Sequence, residues 1–178
     1  MTLRTIIYIV WGVFWAYWLL SALGAKQRAG SRRLGRRLPI IVLAVVLTRV
    51  FGEHSLAIHG TAVKVIGVVL LGAGLGLAVW ARIYLGRNWG MPMTEKAEPE
   101  LVTSGPYRFV RHPIYSGILL GFAGTGLATN GYWWIVFAVC LLYFTYSARV
   151  EEQYLAERFP AVYPAYKRST KMLVPFVL

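Results

Sequence analysis

Five stretches of this chain are nearly free of charge, and their lengths approach the roughly 20 residues that a helix needs to cross a bilayer. They cover residues 5–24, 38–51, 62–85, 114–128 and 132–147. In hydrocarbon the backbone must satisfy its own polar groups, which a helix does within one segment. An ordinary soluble domain carries more charge than the 15% found here and fewer apolar residues than 57%. The expected fold is therefore an all-α integral membrane protein with about five transmembrane helices, the last two forming a helical hairpin turned at residues 129–131. The second run is short, so its flanking arginines must snorkel toward the headgroups.

The charges lie between the apolar runs. Residues 26–37 hold six basic side chains and no acid, and further clusters follow the third and fifth runs. The connections after the second and fourth runs hold almost none. By the positive-inside rule the N-terminus lies outside, while the C-terminus and the polar segments after the third and fifth runs face the cytosol. A net charge of +12 is then explained by anionic lipid, not by nucleic acid, since no basic patch sits on a soluble surface. The first run ends in small residues that mimic a signal-peptide cleavage site. At about 20 residues it exceeds a signal core, so it reads as a retained span. Cys140 is the single cysteine, which excludes an internal disulfide, and its setting is that of a small apolar residue.

Two polar blocks bracket the predicted hairpin. Residues 101–115 bring Tyr107, Arg108, Arg111, His112 and Tyr115 to the mouth of an apolar run, and Arg149, Glu151 and Glu152 follow its far arm. The hairpin returns both blocks to one membrane face, where they form a candidate active site. Cationic residues at a helix end also serve as headgroup anchors, and Pro113 after His112 suits a helix start, so the first block has two readings. Adjacent carboxylates at an anionic surface are repelled and are not anchors. Arg149 and Glu152 are three apart and can balance each other on one helix face, whereas Glu151 points elsewhere and can face a cationic ligand.

Small residues recur at Gly117, Gly121, Gly124 and Ala128, a stripe that predicts close helix packing. Residues 72–76, Gly-Ala-Gly-Leu-Gly, look like a phosphate loop but lie within a span without a preceding strand, which again predicts packing. Glu53, His54 and His59 match no metal-ligand spacing and read as a solvated loop.

Gly105-Pro106-Tyr107, Arg111-His112-Pro113-Ile114-Tyr115, Glu151-Glu152 with Leu155, and Phe159 with Tyr163 and Tyr166 resemble, in order and spacing, the isoprenylcysteine carboxyl methyltransferase family of membrane enzymes. The resemblance covers roughly residues 80–178. Ile114 stands where the family commonly has serine, and Pro160 where it commonly has glycine. The resemblance implies a division into residues 1–60, two N-terminal helices, and residues 61–178, a methyltransferase core. It implies S-adenosyl-L-methionine as cofactor in a cytosolic pocket, with Pro99, Glu100, Leu101, Val102, Tyr107, His112, Pro113, Ile114, Tyr115 and Glu151 as its contacts. It places catalytic roles on Arg149, as the arginine that orients the acceptor, and on Glu152. The implied acceptor is lipophilic and enters from the bilayer, with the carboxylate of a prenylcysteine-like molecule first among the candidates. A phospholipid amine methyltransferase, a nicotinamide-dependent membrane reductase and a non-enzymatic membrane protein share related architecture and stand as alternatives.

Overall fold

The computed structural model describes residues 1–22, 60–86, 100–129 and 131–174. Residues 38–51 and the Glu53, His54 and His59 group lie outside the described residues. Among the described residues there are four long helices: α1 (Leu3–Ala22), α2 (Thr61–Leu85), α3 (Pro113–Ala128) and α4 (Tyr132–Arg158). A 3-10 turn at Gly105–Arg108 precedes α3, and a short α5 (Tyr163–Ser169) follows α4. The fold is all-α, and among the described residues three helices, α1, α2 and α4, are long and apolar enough to span a membrane.

Antiparallel contact between α2 and α3 forms the centre. Gly67, Gly74 and Ala78 of α2 meet Ala128, Gly124, Gly121 and Gly117 of α3, and the two backbones touch. A Cβ added at Gly74 would lie 2.5 Å from the Gly117 carbonyl oxygen, and one at Gly117 the same distance from that of Gly74. Without a hydrophobic driving force between helices in lipid, such close van der Waals approach is what holds them together. The glycine stripe predicted from residues 117–128 is thus a packing face. Of the glycines at 72, 74 and 76, Gly74 takes part, whereas Gly72 and Gly76 have nothing within 4 Å among the described residues.

α3 has only 16 residues, about 24 Å of helix, and is buried on nearly every side. An all-round apolar helix of this kind belongs to an interior. α1 covers it with one stripe, Ile7, Trp11, Phe14 and Trp18, while Val13, Leu19 and Leu20 point outward. Spacings of four, three and four residues keep that stripe on one helix face. Trp11 stacks on Phe122 and donates its indole N–H to Thr125 at 3.0 Å, which in turn bonds back to the Gly121 carbonyl. The buried threonine hydroxyl is thereby satisfied.

At one end of the bundle the Tyr8 and Tyr132 hydroxyls pair at 2.9 Å. At the other, the Arg82 guanidinium donates to the Ser21 carbonyl at 2.6 Å and to Gly86 at 2.7 Å, fastening the C-terminal ends of α1 and α2. Orphan carbonyls at helix ends need donors, and a buried arginine supplies them. α1, α2 and α4 run toward this second end, and α3 starts there. The apolar part of α4 ends near residue 147, and the helix continues unbroken to Arg158, in keeping with Arg149 and Glu152 sharing a helix. At 3.6 residues per turn, about three turns follow the apolar run and carry Glu151 and Glu152 on the same continuous helix.

Gly105 shows why the turn before α3 requires glycine. Its φ is +58°, and a Cβ there would strike the Tyr84 ring. Gly105→Ala should lower stability by about 1–3 kcal/mol through strain plus that clash. Thermal unfolding in detergent will read the loss, and the double change with Tyr84→Ala should recover the steric part only.

Candidate active site

The first polar block approaches α4 through a chain segment fixed on both sides. Pro106 and Tyr107 are buried, and the Tyr166 hydroxyl of α5 donates to the Tyr107 carbonyl at 2.7 Å. Val110 pairs with Lys171 in an isolated parallel bridge. The Arg111 and His112 amides donate to the Lys171 and Met172 carbonyls at 2.8 and 3.1 Å. His112 then caps α3, with Pro113 at the first helical position, where its missing N–H costs nothing. Backbone pairing from the C-terminal segment thus sets the entry of the motif into the bundle.

His112 is buried at 8% exposure and lies flat on Tyr115, their ring centroids 5.4 Å apart, and Tyr115 stacks on Phe144 at 4.6 Å. The imidazole Nδ1 stands 3.5 Å from Glu151 Oε2, and Nε2 stands 3.6 Å from Glu152 Oε1. A carboxylate faces each ring nitrogen at ion-pair distance, although Nε2 makes no hydrogen bond among the described residues. Burial opposes the charge, but the two carboxylates outweigh it and hold the His112 pKa above its ordinary value. Burial likewise pushes the Tyr107 phenol upward, so it remains a neutral hydroxyl.

The two acids are in different settings. Glu152 is buried, its side chain 5% exposed, with Arg111 Nε at 2.6 Å on Oε1 and Lys167 Nζ at 2.8 Å on Oε2. Glu151 accepts the Tyr115 hydroxyl at 2.7 Å, and its side chain is 28% exposed. Glu152 is therefore enclosed by cations, while Glu151 sits at the rim of the aromatic stack and is partly exposed. Arg111 also donates to the Lys167 and Thr170 carbonyls, tying α4, α5 and the α3 entry together.

The structure brings Tyr107, His112, Pro113, Ile114, Tyr115, Glu151 and Glu152 to one end of the bundle. Leu101 and Val102 are half-buried beside the 3-10 turn, Glu100 is exposed, and Pro99 lies outside the described residues. Arg149 is exposed and does not pair with Glu152. The expected balance between them fails because Glu152 turns inward to cations fixed by distant segments. Lys167 and Phe144 were not singled out from the sequence. Lys167 lies 15 residues beyond Glu152 on another helix, and a lone lysine in a basic tail carries no local signal. Cys140 is half-buried in α4 and lies away from the cluster.

These features define a class, an all-α membrane protein with a charged, aromatic-lined site at one end of its helices. The profile of the phospholipid methyltransferase family matches residues 63–161, and the chain belongs to that family. It is 36% identical over 141 residues to a cobalt-zinc-cadmium resistance protein of Cupriavidus metallidurans, covering 76% of this chain and 61% of the relative. It is 32% identical over 144 residues to a protein-S-isoprenylcysteine O-methyltransferase of Saccharomyces cerevisiae, covering 77% and 60%. A methanethiol S-methyltransferase of Bradyrhizobium diazoefficiens matches at 35% over 83 residues, 46% of this chain and 28% of the relative. The chain thus spans about three-fifths of the length of the two relatives it matches over most of its own length. The motif resemblance to the isoprenylcysteine carboxyl methyltransferases agrees with these relatives.

Proposed function

We propose that the protein is an S-adenosylmethionine-dependent methyltransferase that acts on a lipophilic acceptor from the bilayer, forming the methyl ester of a prenylcysteine-like carboxylate. The observation that carries the reading is the unequal acid pair. Glu151 is held at the rim of the buried His112–Tyr115–Phe144 stack, while Glu152 is saturated by cations. The residues fit the cofactor. A sulfonium with an amino-acid tail needs an acid, aromatic faces and a cationic donor for its carboxylate, and Glu151, Tyr115 and His112 are those types. When bound, the cofactor supplies an electrophilic methyl group.

The chain's own part is to hold the acceptor in line and keep water away. A carboxylate acceptor is already ionised at neutral pH and needs no general base. Arg149, exposed on α4 next to the acid pair and not committed to Glu152, is suited to orient that carboxylate through its planar fork. Arg108, Arg149, Arg158, Arg168 and Lys171 are all exposed at the site end, which favours placing that end in the cytosol and in contact with anionic lipid. An amine acceptor is the second reading, favoured by the phospholipid methyltransferase profile itself.

Two measurements test this. Calorimetry on the folded, detergent-purified protein should show binding of S-adenosylmethionine or its demethylated product and none of nicotinamide cofactors. The absence of heat for both sulfur compounds would remove the methyltransferase reading. With methyl-labelled cofactor and a prenylcysteine analogue, the label should be released as methanol by mild alkali. The rate should be nearly flat between about pH 6 and 8, because the carboxylate stays ionised across that range. An alkali-stable label with a rate climbing through the same range would assign an amine acceptor instead.

A further inference from the structure

We propose that Glu152 is a positioning residue that does not touch the ligand: clamped by Arg111 and Lys167, it fixes the His112 imidazole, so that the C-terminal segment governs binding at Glu151 and His112 from behind. The inference rests on the ligand-binding reading of Glu151 and His112 given above. Three observations support it. Glu152 is 4% exposed and approached by side chains on both oxygens, leaving no open face for a ligand. Oε1 is bonded by Arg111 Nε at 2.6 Å and stands 3.6 Å from His112 Nε2, an electrostatic contact longer than a hydrogen bond, so the arginine bond fixes the oxygen that the imidazole faces. The same arginine bonds the Lys167 and Thr170 carbonyls, and the next residues, Lys171 and Met172, hold the Arg111 and His112 backbone.

The charged and titratable groups around the imidazole can be counted. Glu151 and Glu152 come from α4, and the stacked Tyr115 phenol comes from α3. Arg111 is the preceding residue. Lys167 of α5 acts through Glu152, and Tyr163, fully buried, lies in the field of Glu152 and Arg111. Two anions flank the ring directly, and the cations lie behind one of them. Removing the charge of Glu152 therefore makes His112 easier to deprotonate, whereas removing Lys167 unmasks Glu152 and makes it harder.

The test uses the full chain in detergent. Ring-nitrogen NMR follows the His112 titration without ligand, with the resonance assigned by His112→Asn, and calorimetry follows S-adenosylhomocysteine. Glu152→Gln should lower the His112 midpoint and weaken binding about tenfold at about pH 7.5, the loss of one charge-assisted contact. At about pH 5.5 the imidazole is reprotonated and binding should recover, while Glu151→Gln should stay defective at both values. Lys167→Met, at a half-exposed side chain, should raise the midpoint, and Lys167→Arg should restore it. An unshifted midpoint in Glu152→Gln, or binding lost equally at both pH values, would overturn the proposal. If Glu152→Gln does not fold, an unshifted midpoint in Lys167→Met overturns it alone. Should the wild type bind no S-adenosylhomocysteine, the cofactor reading and the ligand half of this proposal fall together, and the midpoints still decide whether Glu152 and Lys167 set the state of His112.

Discussion

Gly74→Ala and Gly117→Ala are each expected to cost about 3 kcal/mol or more and to yield little folded protein. Each new methyl would sit 2.5 Å from a carbonyl oxygen of the facing helix, and backbone cannot swing aside as a flexible side chain can. Separating α2 from α3 by even an ångström would also weaken the rest of their contact, from Gly67 against Gly124 to Ala78 against Gly117. Gly72→Ala and Gly76→Ala, on the other face of the same helix with nothing within 4 Å among the described residues, are the matched controls. They should be neutral or slightly stabilising, since alanine is the better helix former. Folded yield and unfolding temperature in one detergent would read all four. Equal tolerance of all four changes would mean that the α2–α3 backbones do not touch.

The second large effect is expected at Glu151. Glu151→Ala should weaken S-adenosylmethionine binding by about a hundredfold, the scale of losing a charge-assisted contact at the edge of a low-dielectric site. The fold should survive, because the side chain is 28% exposed and the Arg111–Glu152–Lys167 cluster does not depend on it. Arg149→Ala should leave cofactor affinity unchanged and lower turnover, since its exposed guanidinium is assigned to the acceptor. Titration calorimetry and single-turnover rates separate the two outcomes. Loss of cofactor binding in Arg149→Ala as complete as in Glu151→Ala would end the division of roles between the two residues.

The sequence by itself determined the membrane character, the helical class and the packing of Gly117, Gly121 and Gly124. All three follow from local composition and from the 3.6-residue period, which act within a single segment. The meeting of His112 with Glu151 was legible too, because a hairpin whose two arms end in polar blocks must return them to the same face. Only the tertiary structure decided which ion pairs form. Glu152 had Arg149 three residues away on its own helix, yet it binds Arg111 and Lys167, 41 and 15 residues distant. The reason is geometric. A buried carboxylate needs cations delivered from the protein side, and the bridge between Val110 and Lys171 delivers them, whereas Arg149 projects outward, where water competes for it. A helix running through Arg149 and Glu152 was legible as well, and only its end at Arg158 was not. Hydropathy marks where an apolar run ends, but the helix ends where its backbone bonding ends, and that excess length carries the acid pair clear of the apolar region.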